Sequence, residues 1–538
     1  MSPVDDTQYE DDAQPVSVPD AGDTGESGKL KMIVSLVKKV VGVKDIASMR
    51  LSLPASLLEP IPNLEYWHYL DRPDLFAAIN DSDDPFERML GVLRFTFSKD
   101  LKFIRGKVCK PYNSVLGEHF RAHWDVIPVE YPSDPTEPPI QHLYLTTPAP
   151  ESNYSSLAPT PSQTPRIAAS ETASLSGRST KSGKSTVSGL STLSRGASTP
   201  GKSTPATSPD LVETNLEAGV SSLNLNDNDE DGGELLEADD APEAEGKRRV
   251  RVIFLTEQVS HHPPISAFYA MCPSRNTELM GVDQISAKVS GTTIRIVPGS
   301  YNKGIFVRLT GGPGEGETYR ITHPVGSVNG ILRGSFYITM SEATIIECSG
   351  GRDEEKLRAV IEYKEESWLG RAHFLIEGVI HKYRPGSTEH VEWTRVKHVP
   401  RERVLATVDG SWKHRIRWKR VNEGSSEYAT LIDLSTLCSI PKSVRGLEKQ
   451  HANESRKLWE NVTNNLVAKE YSEATKHKLA IEQRQRDDAA ERKRKGAQFV
   501  PNYFESDIES GIPRLTEAGR KALEEELKEE ALYPLEDS

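Results

Sequence analysis

Between Lys29 and Asp45 the chain reads KLKMIVSLVKKVVGVKD. Leu30, Ile33, Val34, Val37, Val40 and Val41 recur at helical spacing, and Lys31, Lys38 and Lys39 fall largely on the other side. The pattern predicts an amphipathic helix over 29–44, which either packs on a core, closes over a pocket or touches a membrane. Residues 85–105, PFERMLGVLRFTFSKDLKFIR, predict a second helix with Pro85 in its first turn. From Arg248 to Trp418 the period changes. Short apolar runs such as VRVIFLTEQV, TTIRIVP, GIFVRLT and AHFLIEGVIHKY alternate with Gly, Pro, Asn and Asp turns. That spacing predicts many short strands in a large antiparallel sheet or barrel. After Gly446 helical patterning returns.

Two stretches carry no period. Residues 1–28 are polar and hold eight acidic residues without a Lys or Arg. Residues 148–247 begin rich in Ser, Thr, Gly and Pro and end in an acidic run, with ten acids in 227–245. Neither buries enough apolar area to offset its ordering entropy, so an acidic disordered tail and a disordered insertion are expected. Strands are predicted on both sides of the second stretch, which reads as a loop within one domain spanning 29–504. Residues 505–538 read as a charged C-terminal tail.

The formal charge of −13 is concentrated in those acidic stretches; without their eighteen acids the rest carries about +5. A mildly basic body suits an anionic membrane surface or a phosphate and does not point to nucleic acid. Cys109, Cys272, Cys348 and Cys438 are scattered, with no CxxC spacing, which argues against a zinc module and a disulfide scaffold and for a reducing cytosol. No apolar run is long enough to span a bilayer, so membrane contact is expected to be peripheral.

One motif asks for chemistry: EQVSHHPP, Glu257–Pro264. Adjacent histidines on an extended chain point to opposite sides, so one metal does not easily take both, and HExxH is absent. Ser260 precedes the pair, but no GxSxG elbow or assignable acid accompanies it. Neither a metal site nor a catalytic site is expected. Taken alone, the pair would be structural.

Its context says otherwise. EQVSHHPP followed by ISAF resembles the signature of the oxysterol-binding-protein-related family. KPYNSVLGEHF at Lys110–Phe120 resembles that family's KPxNPxLGE segment, with Ser114 where proline is usual. DGSW at Asp409–Trp412 and EKQHANESRKLWENV at Glu448–Val462 match in order and spacing. The resemblance covers residues 30–148 and 248–504. It implies a mainly β fold with flanking helices: a nearly closed antiparallel barrel around a lipid tunnel, an N-terminal lid and a C-terminal helical subdomain. It also implies a non-enzymatic, cofactor-free, monomeric carrier. Such a carrier exchanges a sterol or phospholipid for phosphatidylinositol 4-phosphate, from the cytosol, at the surface of the endoplasmic reticulum, Golgi or plasma membrane.

The implied headgroup residues are His261, His262, Lys110 and Asn113, with Lys478, Glu482 and Arg486 along one helical face at i, i+4 and i+8. Charged and amide donors are what a phosphoinositide headgroup needs. Leu30, Ile33, Val34 and Val37 become the lid's apolar face. The second lipid is open. Asp283 stands where a sterol-binding relative has asparagine, and Gly299 falls near that relative's glutamine; both departures speak against sterol. LPASLLEP at Leu53–Pro60 resembles a mouth-lining stretch of phosphatidylserine carriers. A phosphoinositide-dependent sensor or scaffold, with phosphatidylserine as second ligand, is the alternative function. Tyr503 and Phe504 are expected to pack rather than to form a docking motif.

Overall fold

The computed structural model describes residues 55–105, 110–134, 136–141, 247–290, 293–330, 337–366, 373–421 and 427–536, together with a short parallel backbone pairing of β1 (Val16–Ser17) with β2 (Leu51–Ser52). The proposed lid residues Leu30, Ile33, Val34 and Val37, most of the predicted insertion and the bulk of the acidic tail lie outside them.

Twelve strands form one antiparallel sheet. In spatial order they are β18 (Ala429–Asp433), β17 (Arg415–Arg420), β16 (Val404–Ser411), β15 (Leu375–Tyr383), β14 (Lys356–Tyr363), β13 (Ala343–Gly350), β10 (Glu317–Ile321), β9 (Ile305–Leu309), β6 (Thr277–Asp283), β5 (Pro264–Cys272), β4 (Val250–His261) and β3 (His119–Val126). The chain leaves this sheet twice. The hairpins β7 (Ile285–Ser290) with β8 (Thr293–Pro298), and β11 (Val325–Asn329) with β12 (Tyr337–Ser341), join through β8 and β11 into a four-stranded sheet. This is the mainly β fold with flanking helices that the sequence predicted.

Strand β4 explains its own composition. Successive side chains point to opposite faces. Val250, Val252 and Phe254 enter the main core, beside Phe120, Trp124 and the helix α1 (Pro85–Ser98). Ile253 and Leu255 enter a second core on the other face, under Tyr503, Phe504 and the helix α4 (Glu517–Leu527). A strand covered on both sides has no solvent face, so VRVIFLTEQV is apolar nearly throughout.

Strand β3 is also covered twice but splits by chemistry. Phe120, Ala122, Trp124 and Val126 face the main core. Arg121 and His123 face the C-terminal segments and are buried there. Arg121 reaches Glu454 at 2.6 Å and Glu525 at 3.0 Å, and His123 lies 2.7 Å from Glu526. Glu526 also takes Arg445 at 2.8 Å. Burial pushes its carboxyl up, yet His123 and Arg445 outweigh that and hold it below the usual range.

Residues 505–536 are therefore not a charged tail, and that expectation is corrected. Ala522 and Leu523 are buried against β4 and β5, and Thr516 caps α4 by accepting from the Gly519 N–H. Leu535 bridges to Arg249. The segment looked like a tail because its acids dominate its composition; those acids neutralise the polar face of β3. The predicted 85–105 helix is also shorter, since α1 ends at Ser98 and a separate turn spans Lys102–Arg105.

Candidate functional site

The stretch from Lys110 to Glu118 is an irregular loop whose backbone is fixed at both ends. Tyr112 is fully buried, its ring 5.0 Å from that of Trp459 and its hydroxyl 2.9 Å from that of Thr463 in the helix α2 (Glu460–Val467). At the far end Gly117 N–H donates to Gln258 O at 2.9 Å, and Gln258 N–H to Glu118 O at 2.8 Å. Gly117 has φ +78, which a side chain would strain, and its Cα faces the Phe499 ring.

Glu118 anchors the loop. One carboxylate oxygen accepts from Val115 N–H at 3.0 Å and Trp459 Nε1–H at 3.0 Å, and the other accepts from Ser455 Oγ–H at 2.7 Å. The group is fully buried, and burial raises its pKa to about 7 against these three donors. A neighbouring carboxylate, Glu257, accepts the N–H groups of Asn502 at 2.7 Å and Tyr503 at 2.8 Å, and burial raises it too. The segment after the long helix is thereby tied to the end of β4.

The candidate residues sit on this frame as three groups. Lys110 Nζ donates to Asn113 Oδ1 at 2.6 Å, across the KPYN turn. His261 and His262 stand where β4 ends, with ring centroids 4.5 Å apart and nitrogens at 3.1 Å. The expectation that the two rings point apart fails here: alternation stops at His261, where β4 ends, and the two rings meet edge to face. The third group lies on the helix α3 (Tyr471–Lys495). Lys478 is buried and paired with Glu482 one turn on, while Arg486 is exposed and donates to Gln483 Oε1 at 2.8 Å. Ala474 and Ile481, on the same side as Lys478, join Tyr112, Val115 and Trp459 in one apolar cluster with Ala55.

The loop 110–118 thus touches both the strand that carries the histidines and the helices that lead into α3. The arrangement offers ammonium, amide, imidazole and guanidinium donors. Among the described residues no three His, Cys, Asp or Glu side chains converge as metal ligands, and no helix is long and apolar enough to cross a membrane.

Comparison with known proteins gives this frame a family. The family model for oxysterol-binding protein matches residues 32–154 and 233–471. The oxysterol-binding protein-like protein 1 of Schizosaccharomyces pombe is 40% identical over 511 residues, 94% of this chain and 93% of that one. The chain belongs to the oxysterol-binding protein family. A second relative, oxysterol-binding protein homolog 7 of Saccharomyces cerevisiae, is 28% identical over a match spanning about half of each chain, 47% here and 53% there. Among solved structures, the Osh1 ORD domain in complex with ergosterol aligns with a TM-score of 0.51 at 16% identity, covering 92% of this chain and 89% of that one. The Osh3 ORD in complex with PI(4)P from Saccharomyces cerevisiae aligns at 0.50 and 16%, covering 93% and 94%. At that identity the likeness concerns the fold. The family match ends at 471, so Lys478, Glu482 and Arg486 lie beyond it.

This member of the oxysterol-binding protein family has a second polar centre, which the sequence reading flagged only through Asp283 and Gly299. Asp283 ends β6, and Tyr69 donates its hydroxyl to it at 2.8 Å. Tyr69 holds φ +58, uncommon for a bulky residue. Its ring lies 5.8 Å from that of His323, and Lys99 Nζ stands 5.5 Å from it. Burial raises the Asp283 carboxyl to about 7 and lowers the His323 imidazole to about 4. The side chain missing at Gly299 is replaced from elsewhere: the Gln284 carboxamide fills that space and accepts from Tyr301 N–H at 2.9 Å. What sequence reasoning missed was Glu118, Glu257, Tyr69 and Gln284. The first two lie inside the quoted motifs, but apart from Val115 their partners lie more than 240 residues away.

Proposed function

We propose that this protein is a non-enzymatic lipid carrier that exchanges phosphatidylinositol 4-phosphate for a sterol, working from the cytosol at membrane surfaces. The observation that carries the reading is the seating of Lys110–Asn113, His261–His262 and Lys478–Glu482–Arg486 on one scaffold pinned by Glu118. A monoester phosphate with several negative oxygens needs such a mixed set of charge-assisted donors. The long antiparallel sheet is read as the wall of the lipid tunnel, and the apolar face of residues 29–44 as its lid.

Sterol is favoured over phosphatidylserine by the second polar centre. A carboxyl with a pKa near 7 is partly protonated at neutral pH, so Asp283, like an amide, can both accept and donate to a hydroxyl. Gln284 restores the amide that Gly299 lacks. The two departures that spoke against sterol in the sequence are thus compensated. The solved relatives named for ergosterol and PI(4)P complexes agree with the pair of ligands.

The test is extraction from liposomes. Charge-assisted contacts contribute about 1.5–3 kcal/mol each. The double variant His261→Ala, His262→Ala is expected to weaken phosphatidylinositol 4-phosphate extraction about a hundredfold or more while keeping the circular dichroism of the parent. Unchanged extraction would sink the headgroup assignment. Native mass spectrometry of lipids co-purifying with the parent reads sterol against phosphatidylserine.

A further inference from the structure

A cavity of about 440 Å³ opens beside the first turns of α1 and shares no lining residue with the headgroup site. Its apolar wall comes from Leu75, Ala78, Ile79 and Pro139. Asp81, Asp83, Asp84 and Glu87 supply carboxylates, and Arg94 and Tyr131 complete the lining. Asp84, Glu87, Gly91 and Arg94 follow i, i+3, i+7 and i+10, one face of α1. Gly91 lets that face sit against the backbone of Ile79, since a Cβ there would fall 3.3 Å from the Ile79 Cα.

The acids alone would mean little, because acids collect at helix starts. Arg94 changes the reading. Its side chain is over nine-tenths buried, and it donates only through Nε, to Leu431 O at 3.1 Å. Among the described residues the terminal guanidinium nitrogens make no hydrogen bond or ion pair, although Arg94 lines the cavity. These nitrogens are not shut off from solvent, so at the cavity they are free to donate, and the Glu87 charge favours the guanidinium there against its burial. Glu87, two turns earlier, also makes no hydrogen bond or ion pair among the described residues; it and Arg94 act on each other electrostatically across a gap longer than an ion pair. Asp81 is engaged by Tyr131 Oη–H at 3.0 Å and by Arg275, and Asp84 caps the Phe86 N–H at 2.8 Å. The charged groups of the cavity left without a hydrogen bond or ion pair among the described residues are therefore the Arg94 terminal nitrogens and the Asp83 and Glu87 carboxylates, of which Glu87 is the one that acts on Arg94. The carboxylates do not gather as metal ligands, which leaves an ammonium, with its three divergent donors, as the cation that fits them.

We propose that this cavity binds a compact zwitterion, its oxyanion on Arg94, its primary ammonium on Glu87 and its short apolar body on Ile79 and Leu75. Amine and oxyanion occur together in free phosphorylated amines and in aminophospholipid headgroups, and the site chemistry is common to both.

The test uses the full-length chain and isothermal titration with O-phosphoethanolamine, set beside ethanolamine and inorganic phosphate. Saturable one-to-one binding of O-phosphoethanolamine, about tenfold or more tighter than either half, is expected, as is a loss of about tenfold or more in Glu87→Gln and in Arg94→Met. Competition by vesicles containing phosphatidylethanolamine, but not by phosphatidylcholine vesicles, assigns a lipid headgroup as the source; no competition assigns a soluble one. Absence of saturable binding, equal binding of phosphate alone, or unaltered binding by Glu87→Gln would each overturn the proposal. If Arg94→Met fails to fold by circular dichroism, Glu87→Gln decides, since its side chain supports no bond in the structure.

Discussion

The two sheets are built from the same kinds of residue and behave oppositely. Strands β3 to β6 are covered on both faces, by α1 and its neighbours on one side and by α4 and the 500–515 segment on much of the other. The four-stranded sheet has little cover: β7 exposes Ile285, Lys288 and Ser290, and much of β8 and β11 is only half-buried. Lys110, Asn113, His261 and His262 lie on or beside the doubly covered region, and Lys478, Glu482 and Arg486 lie on the helix that packs against the 110–118 loop. Binding geometry needs side chains that hold still, and packing on two faces supplies that.

Five substitutions sharpen the contrast, from the largest effect down. Phe254→Ala removes a fully buried ring beside Phe120 and His68; a loss of about 3–5 kcal/mol by urea unfolding is expected. A loss under about 1 kcal/mol would mean that the double cover is loose.

Glu118 gives a pH signature. Its pKa is about 7 in the folded chain against an ordinary 4.5. Between those values the folded chain keeps a proton that the unfolded chain has released. The stability it contributes is full below pH 4.5 and is lost as pH rises through 7, with a slope of up to about 1.4 kcal/mol per pH unit. Glu118→Gln keeps acceptors for Val115 and Trp459 and turns its NH2 to Ser455 Oγ, so it should flatten this dependence in unfolding titrations from pH 5 to 8. An unchanged slope would place the titration elsewhere.

Lys478→Ala or Arg486→Ala is expected to weaken phosphatidylinositol 4-phosphate extraction by about 1.5 kcal/mol, roughly tenfold, with sterol extraction retained. Equal loss of both lipids would make these residues supports of the fold. Ile285→Thr, on the four-stranded sheet, should change stability by less than about 0.5 kcal/mol and leave both extractions alone.

Much of this was legible in the chain. Short apolar runs set between turn residues announced the strands, though not that β4 is covered on both faces. The motifs gave the candidate residues. What stayed hidden was long-range: Glu118 is read by Ser455 and Trp459, and Glu257 by Asn502 and Tyr503, and no local period records such pairings. Helix α4 was missed although Ala518, Ala522, Leu523 and Leu527 keep helical spacing, because GluGluGlu and its neighbours outweigh them in composition. The rings of His261 and His262 were placed apart because pleat geometry was extended one residue past the strand that obeys it.

Strands β3 and β4 are neighbours in the sheet, yet residues 127–249 separate them in the chain. Closing a connection of that length costs little more than closing a short one. Trimming it to about 25 residues recovers roughly 1.4 kcal/mol, since each halving returns about 0.6. The consequence is kinetic. Pairing across such a separation raises contact order, and strand joining of that kind is slow. Strands β4 to β6 follow one another closely and can zip first, so β3, carrying the Glu118 loop with it, would dock late. The headgroup frame is then among the last parts of the molecule to mature, and a shortened connection should speed that final step in refolding more than it raises the equilibrium stability.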